Sequence, residues 1–499
     1  MHSSHHDHQQ HHLPIGPIHP LVPDCTRVLA HETRQLEEMV ERRELAPCPT
    51  PVCGVELEGW LAHQDTLAPA LNSLDVLRTQ SGNDWGKELG RWNVECNFPP
   101  LLLQGDALSQ SERWFRATLA RLEESAQAQG STFVLGPTLL TLEEEHLVSA
   151  NLTPKDPLFN PGDRYHSLDA LQQARKGSPF ETTFADGSSR LSSSSIILAA
   201  TTAGLQPHLM CEPEKFVAVY NAAQALAPLF LALAASSPVL AGRKTGFESS
   251  RIRVLHDMHS GLREQGSNAS RYFFGEQWLE SPTDTFHENV LFDPLFEEPL
   301  ASSTDRELPN IRAHNGTVWR FNRPVYDFQD GAPHIRLESR VMDTALSIVD
   351  NVANLAFFHG AILGLVEEHG DVASKLSFQD VHDAFYRAAA EGLDATMNWI
   401  DGHPIRLQEL ALTLLETAER GLSDIDKGDS EKYLSVIRQR VISGLTGSQW
   451  IQRGMNALAL QGLSDKEQRE LLTAYCREMQ ARDTPVHEWS VPELIRGEK

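Results

Sequence analysis

Residues 54–60 constrain the fold more than any other stretch of the sequence, because they alternate apolar and acidic side chains with a period of two. As a β-strand, this segment places Glu56 and Glu58 on one face and Val55 and Leu57 on the other. Two carboxylates about 4 Å apart repel each other by roughly 4 kcal/mol at an effective dielectric constant near 20. The acidic face therefore either points at water or lies against a cation.

Three other short segments, residues 91–98, 206–210 and 334–341, show the same alternation and predict strands with one polar face. The charged or ligating side chains on all four predicted faces are Glu56, Glu58, Glu95, His208, Glu338 and Arg340. Apolar residues occupy the alternate positions, so the opposite faces can pack into a core. The sequence therefore predicts a sheet with one face lined by carboxylates and one imidazole.

Each of these side chains has a simpler explanation when it is taken alone. A single carboxylate on a strand is more often solvated than bound to a metal, and His208 alone is more often a core histidine. Cys96 alternates with Glu95, so we interpret it as a packing residue on the apolar face and not as a nucleophile. Taken together, oxygen ligands with few nitrogens and no thiolates favour Mg²⁺ or Mn²⁺. Such a site suits phosphoryl transfer from ATP.

A glycine-punctuated loop at residues 241–251 concentrates basic side chains in a chain that is otherwise acidic. It contains Arg243, Lys244 and Arg251, with Thr245 between them. One hypothesis places these side chains against the triphosphate of a nucleotide. The alternative, equally compatible with the sequence, is a solvated surface turn.

Composition argues against several classes of function. The 499-residue chain has a formal net charge of −25, which argues against nucleic acid and anionic membranes as partners. Its six cysteines contain no CxxC pair and are too sparse for a disulfide framework, which indicates a reducing compartment. The sequence shows no secretory signal, and its longest apolar run, residues 222–235, is too short to span a bilayer. We therefore expect a cytoplasmic protein.

A GxxxxGK[ST] phosphate-binding loop and a GxSxG nucleophile elbow are both absent from the sequence.

Coarse periodicity predicts helices at residues 26–45, 108–129, 165–176 and 213–235, and from residue 344 onwards. The helix at 213–235 is expected to kink at Pro228. The sequence also predicts a buried strand at residues 192–203, a covering loop at 260–310 and a turn at 314–317. Residues 1–25, rich in His and Pro, are expected to be a disordered extension, with a metal-binding tail as the alternative.

Five short motifs occur in the order found in the glutamate–cysteine ligase superfamily of ATP-dependent carboxylate–amine ligases, which this sequence resembles over residues 52 to about 365. They are Gly54 to Glu58, Asn93 to Glu95, Gln206 to Leu209, Ser237 to Arg251 and Arg336 to Asp343. The helical tail around residues 447–450 is also similar to that of family members. Pro207 departs from the pattern, because members usually have a β-branched residue there. Proline suits a sheet edge or a bulge, so this departure bears on the direction of His208.

The resemblance implies an α+β fold in which a curved antiparallel sheet forms a funnel flanked by helices, as in glutamine synthetase. It implies a catalytic domain over residues 26–370 and a helical C-terminal region over residues 371–499 packed on it. In this family ATP phosphorylates the γ-carboxylate of glutamate, and an amine then displaces phosphate from the acyl phosphate. ATP and Mg²⁺ (or Mn²⁺) are therefore the implied cofactors.

The resemblance also implies roles for individual residues. The metal ions would be held by Glu56, Glu58, Glu95, His208 and Glu338. Arg340 and Arg251 would contact the γ-phosphate or the substrate carboxylate, while Arg243, Lys244 and Thr245 would line the same nucleotide-binding mouth.

Cysteine is the first candidate for the amine that the resemblance implies. The alternatives are a ligase with another amine or acid, and a non-catalytic homologue that binds ATP or a metabolite. The expected partners are small molecules, glutamate and an amine, with a homo-oligomer left open.

Overall fold

The structure is a computed structural model that describes residues 23–490 apart from 81, 83, 149–157, 161–162, 261–269, 296–298, 303, 424–429 and 483. The extension expected at residues 1–25 therefore lies outside the described residues, except at its last three positions. Residues 23–25 form the start of the first helix, which begins three residues earlier than the sequence predicts.

The strands of the described chain are β1 (Val52–His63), β2 (Trp85–Lys87), β3 (Asn93–Leu102), β4 (Ser131–Val134), β5 (Phe180–Thr183), β6 (Arg190–Ser193), β7 (Gly204–Met210), β8 (Val239–Leu240), β9 (Arg243–Lys244), β10 (Tyr272–Phe273), β11 (Trp319–Arg320), β12 (Asn322–Gln329), β13 (Ala332–Ser339), β14 (Met342–Asp343), β15 (Thr396–Asn398) and β16 (Pro404–Arg406). The helices are α1 (Pro23–Glu41), α2 (Ser73–Arg78), α3 (Ala107–Ala128), α4 (Asp163–Lys176), α5 (Phe216–Ala234), α6 (Ser250–His259), α7 (Asp284–Asn289), α8 (Pro309–Asn315), α9 (Ile348–His369), α10 (Phe378–Glu391), α11 (Leu407–Gly421), α12 (Ser430–Ser443), α13 (Gly447–Leu460) and α14 (Asp465–Arg482).

One antiparallel sheet organises the molecule. Its strand order is β12-β13-β7-β1-β3-β2, with β4 also paired to β1 and β14 also paired to β7. The sheet is curled into a half-barrel, which with the surrounding helices gives the predicted α+β fold. The alternation of the sequence explains the orientation of its faces, because Val55 and Leu57 are buried in the main core behind the sheet. Cys96 is fully buried in the same core, which confirms its interpretation as a packing residue.

Two apolar helices, α5 and α9, pack against each other and against the strands of this sheet. Residues 213–234 and 348–369 are long and apolar enough to cross a membrane, yet 89% of the apolar window in each is buried inside the protein. Burial of this extent is the environment of a core helix, which is apolar on all sides because no side faces water. Pro228 lies inside α5, as the sequence predicts.

The C-terminal helices α10, α11 and α12 pack on α5 and α9 and extend the same hydrophobic core. The region from residue 344 is mainly helical, as predicted, and it also contains a hairpin of β15 and β16.

Two local predictions from the sequence are wrong. The buried strand predicted at residues 192–203 ends at Ser193, and residues 196–201 form a 3-10 helix instead. Ser195 explains this change, because its hydroxyl accepts a hydrogen bond from the N–H of Ile197 and caps the turn. The predicted loop at 260–310 contains β10 and α7. The turn predicted at 314–317 is present at the end of α8, where the N–H of Thr317 donates to the carbonyl of His314 at 2.8 Å.

Candidate active site

The strand register places the predicted acidic side chains on one face of the sheet. Glu58 of β1 lies directly opposite Glu95 of β3, and Glu56 shares a face with Glu58 because it is two residues away. His208 of β7 lies directly opposite Glu338 of β13. Four neighbouring strands therefore present one continuous polar row, as their alternation predicts.

Three carboxylates converge at one end of this row. One oxygen from each of Glu58, Glu88 and Glu95 lies within 4.8 Å of the other two. Glu88 follows β2, two residues after Gly86, which pairs with Glu95. No local pattern in the sequence indicates Glu88, because β2 is too short to show an alternating pattern. A hairpin interpretation of residues 85–96 would have placed Glu88 beside Glu95.

The environment of this cluster opposes the ionised form of its members. Burial, followed by the charge on Glu88, raises the pKa of Glu58 to about 7. Burial and the neighbouring carboxylates, Glu88 first among them, raise the pKa of Glu95 well above its ordinary value. Carboxylates that cannot all ionise together are stabilised by a cation placed between them. A set of hard oxygen donors fits Mg²⁺ or Mn²⁺.

Strand β7 fixes the carboxylate of Glu58. Its Oε2 accepts a hydrogen bond of 2.7 Å from the backbone N–H of Gly204, and its Oε1 accepts a short one from the side-chain amide of Gln206. The remaining amide oxygen of Gln206 is buried and has no hydrogen-bond partner among the described residues. The orientation of Glu58 is therefore set by the neighbouring strand.

Glu338, by contrast, is surrounded by positive charge. Its Oε2 accepts a hydrogen bond of 2.9 Å from Arg323 and its Oε1 accepts one of 2.6 Å from Arg340. Burial alone would raise the pKa of Glu338, but the two guanidinium groups hold it well below its ordinary value. In this arrangement Glu338 is an ion-pair partner with both oxygens engaged, which differs from the role of metal ligand that the resemblance implies.

His208 has one ring nitrogen occupied by an arginine. The Nε of Arg336 donates a hydrogen bond of 3.1 Å to its Nδ1, while its Nε2 lies 3.4 Å from Oε1 of Glu56. That Nε2 is buried and has no hydrogen-bond partner among the described residues.

Pro207 lies opposite an irregularity in the sheet. Glu338 pairs with His208 and Met342 pairs with Leu205, so β13 and β14 together have one residue more than β7 across the same distance. This is the bulge that proline favours, because proline supplies no N–H to a regular ladder. His208 still points to the acidic face.

A cavity of about 100 Å³ opens beside the carboxylate cluster. Its charged lining consists of Glu58 and Glu88 on the acidic side and Arg251 and Arg340 on the basic side. Tyr272 also lines it, and its hydroxyl accepts a hydrogen bond of 3.3 Å from Nε of Arg340. The cavity therefore offers one wall to cations and another to carboxylate or phosphate groups.

The basic loop divides between this cavity and the surface. Arg251 lies at the cavity, whereas Arg243 donates to the carbonyl of Arg190 at 2.7 Å and stacks on Phe184. Lys244 is exposed and lies 3.5 Å from Asn456 of α13. The geometry thus favours the surface-turn hypothesis for these two residues, because the hairpin of β8 and β9 directs them away from the cavity.

Thr245 is also absent from the cavity lining. Its hydroxyl is buried and bonds Ser250 at 2.7 Å and the carbonyl of Pro238 at 3.2 Å. It therefore supports the start of α6, which carries Arg251, and does not face the cavity itself.

The fold and this site, with clustered carboxylates facing arginines across a small cavity, define a ligase of the carboxylate–amine class. A sequence model of glutamate–cysteine ligase family 2 matches residues 52–478. The chain therefore belongs to that family. It is accordingly an ATP-dependent acid–amino acid ligase with glutamate–cysteine ligase-like activity.

A solved structure supports the fold assignment. A glutamate–cysteine ligase from Francisella tularensis, determined in complex with AMP, matches with a TM-score of 0.50 and 11% identity, over 90% of this chain and 92% of that one. A bifunctional glutathione synthetase from Pasteurella multocida matches with a TM-score of 0.44 and 12% identity, over 91% of this chain and 55% of that one. A comparison with curated proteins gave no match.

Proposed function

We propose that this protein joins the γ-carboxylate of glutamate to an amine, with cysteine as the first candidate, using ATP. The observation that carries this proposal is the cavity lined by two carboxylates, Glu58 and Glu88, and by two guanidinium groups, Arg251 and Arg340. The carboxylate and the triphosphate are both anions and repel each other. A reaction between them therefore needs positive charge, which guanidinium groups and metal ions supply.

In the first step a γ-carboxylate oxygen of glutamate attacks the terminal phosphorus of ATP, and the bond to the bridging oxygen breaks to release ADP. The amine nitrogen then attacks the acyl carbon, the carbon–oxygen bond breaks, and inorganic phosphate leaves with the electron pair. The nitrogen loses a proton as the amide forms. Arg340 and Arg251 are proposed to bind the carboxylate or the transferring phosphoryl group, since both line the cavity with charge that they never lose.

Glu58, Glu88 and Glu95 are proposed to hold Mg²⁺ (or Mn²⁺), with Glu56 next to them. When bound, the ion would neutralise negative charge on the phosphates. Glu338 is proposed to orient Arg340, because it already accepts a hydrogen bond from that side chain. His208, whose buried Nε2 lies 3.4 Å from Oε1 of Glu56 and has no hydrogen-bond partner among the described residues, is proposed to be a further ligand of the ion, as the resemblance implies.

Three coarser proposals concern the whole chain. Residues 26–370 are proposed to form the catalytic domain, with residues 371–499 packed on it. The net charge of −25 supports a cytoplasmic protein that binds no nucleic acid and no anionic membrane. Whether identical subunits assemble can be measured directly by light scattering.

The test is release of ADP and phosphate from ATP with glutamate, with and without cysteine, in Mg²⁺ or in excess EDTA. We expect release that needs glutamate, metal and an amine together, and a γ-glutamyl product by mass spectrometry. A panel of other amino acids and amines then identifies the acceptor. Turnover that is undiminished in EDTA would contradict the metal assignment, and no ADP with any acid and amine would indicate a non-catalytic binding protein.

A further inference from the structure

Gly204, the first residue of β7, contacts two residues that line the cavity, Glu58 and Arg251. On one side its N–H donates to Oε2 of Glu58 at 2.7 Å. On the other side the guanidinium group of Arg251 lies over its α-carbon. A Cβ atom built at position 204 would lie only 2.7 Å from Cζ and 2.9 Å from Nε of Arg251, and closer still to Nη2.

Space, and not backbone conformation, requires glycine at this position. Gly204 is not among the glycines with a positive φ, so an alanine could adopt its backbone without strain. The contacts of a built Cβ fall well below an ordinary van der Waals separation of about 3.5 to 4.0 Å. The guanidinium group would have to move.

Arg251 has little freedom to move without leaving its position. Only 2% of its surface is exposed. Its Nη1 donates to the carbonyl of Arg340 at 2.7 Å, and its backbone N–H donates to the hydroxyl of Ser237 at 3.3 Å. Displacement by a Cβ at position 204 would break the bond to Arg340 and push the side chain into the cavity that the substrates need.

The support behind Arg251 is itself fixed by Asp343, which pairs with Gly204 across the sheet. The carboxylate of Asp343 accepts hydrogen bonds from the hydroxyl groups of Ser237 at 2.7 Å and Ser249 at 2.9 Å. The start of α6 is thus anchored on the same pair of strands as Gly204. The backbone end of Arg251 cannot easily shift to compensate for a new methyl group.

We propose that Gly204 is a positioning residue of the ligase, which orients Glu58 through its N–H and makes room for Arg251 through its missing side chain. This inference rests on the proposed function, because Arg251 and Glu58 matter only if the cavity is the site of reaction. It adds a specific requirement: one small residue sets the distance between the metal-binding and anion-binding walls.

The test compares Gly204→Ala, Arg251→Ala and the double variant in the ADP-release assay. We expect each single variant to lower kcat/KM by roughly tenfold or more, with a rise in KM for the same substrate. The double variant should be no worse than Arg251→Ala alone, because both changes remove one guanidinium contact. The matched control is Gly54→Ala in the adjacent strand β1, whose Cβ would meet only His208 at 3.6 Å and should leave kinetics and melting temperature unchanged.

A structural role alone would lower the melting temperature without moving KM, and would give additive losses in the double variant. Either result overturns the inference, as does near wild-type activity of Gly204→Ala when Arg251→Ala is impaired. If Gly204→Ala does not fold, its effect is measured in the Arg251→Ala background, where the atoms that a Cβ would meet are absent. There it should add less than about a twofold loss. Wild-type activity of Arg251→Ala would contradict the proposed function as well, so the two failures are distinguishable.

Discussion

At the scale of single residues, the acidic side chains of the sheet fall into two groups with opposite surroundings. Glu58, Glu88 and Glu95 lie close together, and the charge on Glu88 makes both Glu58 and Glu95 harder to ionise. Glu338 faces two arginines, which stabilise its charge. The same residue type therefore has opposite effects on the free energy of unfolding at positions only a few strands apart.

This contrast predicts opposite effects of two conservative substitutions without metal. Glu88→Gln should raise the melting temperature in EDTA, because it removes repulsion, and should lose both the stabilisation by Mg²⁺ and the ADP release. Glu338→Gln should lower the melting temperature, because it leaves two partly buried arginines, Arg323 and Arg340, without this counter-charge. Thermal denaturation with and without Mg²⁺ measures both effects. Equal shifts of the two melting temperatures with the same sign would contradict the division of the acidic side chains into these two groups.

Arg340 and Arg323 allow a matched comparison, because both bind Glu338 but only Arg340 lines the cavity. Arg340→Lys keeps the charge and loses the planar fork that holds two oxygens, so we expect a soluble, normally melting protein. Its kcat should fall on the order of a hundredfold, with a smaller change in the KM for ATP. Arg323→Lys should lower stability and leave kcat nearly unchanged. If Arg340→Lys turns over at the wild-type rate, Arg340 is only a counter-ion.

The residues found from the sequence were those whose position follows from a local rule. Alternation with a period of two puts Glu56 and Glu58 on one face whatever the rest of the chain does. Glu88 follows a strand of three residues, and only strand pairing brings it to Glu95. The assignments of Arg243 and Lys244 relied on nearness to Arg251 in sequence, but of the three only Arg251 lines the cavity, while Arg243 and Lys244 contact Arg190 and Asn456.

At the scale of elements, a single carboxylate on α3 joins the first half of the chain to α12. Glu112 accepts a hydrogen bond of 2.6 Å from Lys432 and further short ones from Tyr433 and Arg116. Burial alone would raise the pKa of Glu112, but these donors lower it to about 2. No pattern in the sequence indicates the contact between α3 and α12, because Lys432 and Tyr433 are more than 300 residues away from Glu112.

Glu112→Gln should therefore lower the free energy of unfolding at neutral pH by about 1 to 2 kcal/mol, a value reduced by the partial exposure of Lys432. The pKa of this carboxyl group is lower in the folded state than in the unfolded state, where it is near 4.5. Its ionised form therefore stabilises the folded state to the full extent at pH values above about 4.5. That contribution is lost as the pH falls from about 4.5 toward 2, so the difference between wild type and variant should shrink in this range.

Urea denaturation at several pH values measures the difference. Arg113→Gln on the same helix is the control, because the ion pair between Arg113 and Asp106 is exposed and should contribute little at any pH. A difference between wild type and Glu112→Gln that stays constant with pH would show that the carboxylate charge is not responsible.

At the scale of the whole molecule, the C-terminal helices and the sheet share one core, and a buried ion pair reinforces the connection. Asp350 of α9 accepts a hydrogen bond of 2.8 Å from Arg440 of α12 and another of 2.8 Å from the N–H of Val486. Both charged side chains are almost fully buried. Separate unfolding of residues 371–499 would expose this pair and the core behind it.

We therefore expect one cooperative thermal transition for the whole chain, and a fragment ending at residue 370 that does not fold alone. Arg440→Met should shift the entire transition, with a loss of about 3 to 5 kcal/mol, because it leaves Asp350 buried and unpaired. Scanning calorimetry distinguishes the cases. Two resolved transitions, or a shift confined to one of them, would show that the C-terminal region folds independently.

The register of β1 against β3 and β7 has a consequence for the evolution of such a chain. Side chains alternate between the two faces of the sheet, so a shift of one residue moves every later side chain of β1 to the opposite face. Deletion or insertion of one residue within β1 would place Glu56 and Glu58 in the hydrophobic core and Val55 and Leu57 on the face of the active site. Substitutions can accumulate along these strands one at a time, whereas single-residue insertions and deletions should be confined to the connecting loops.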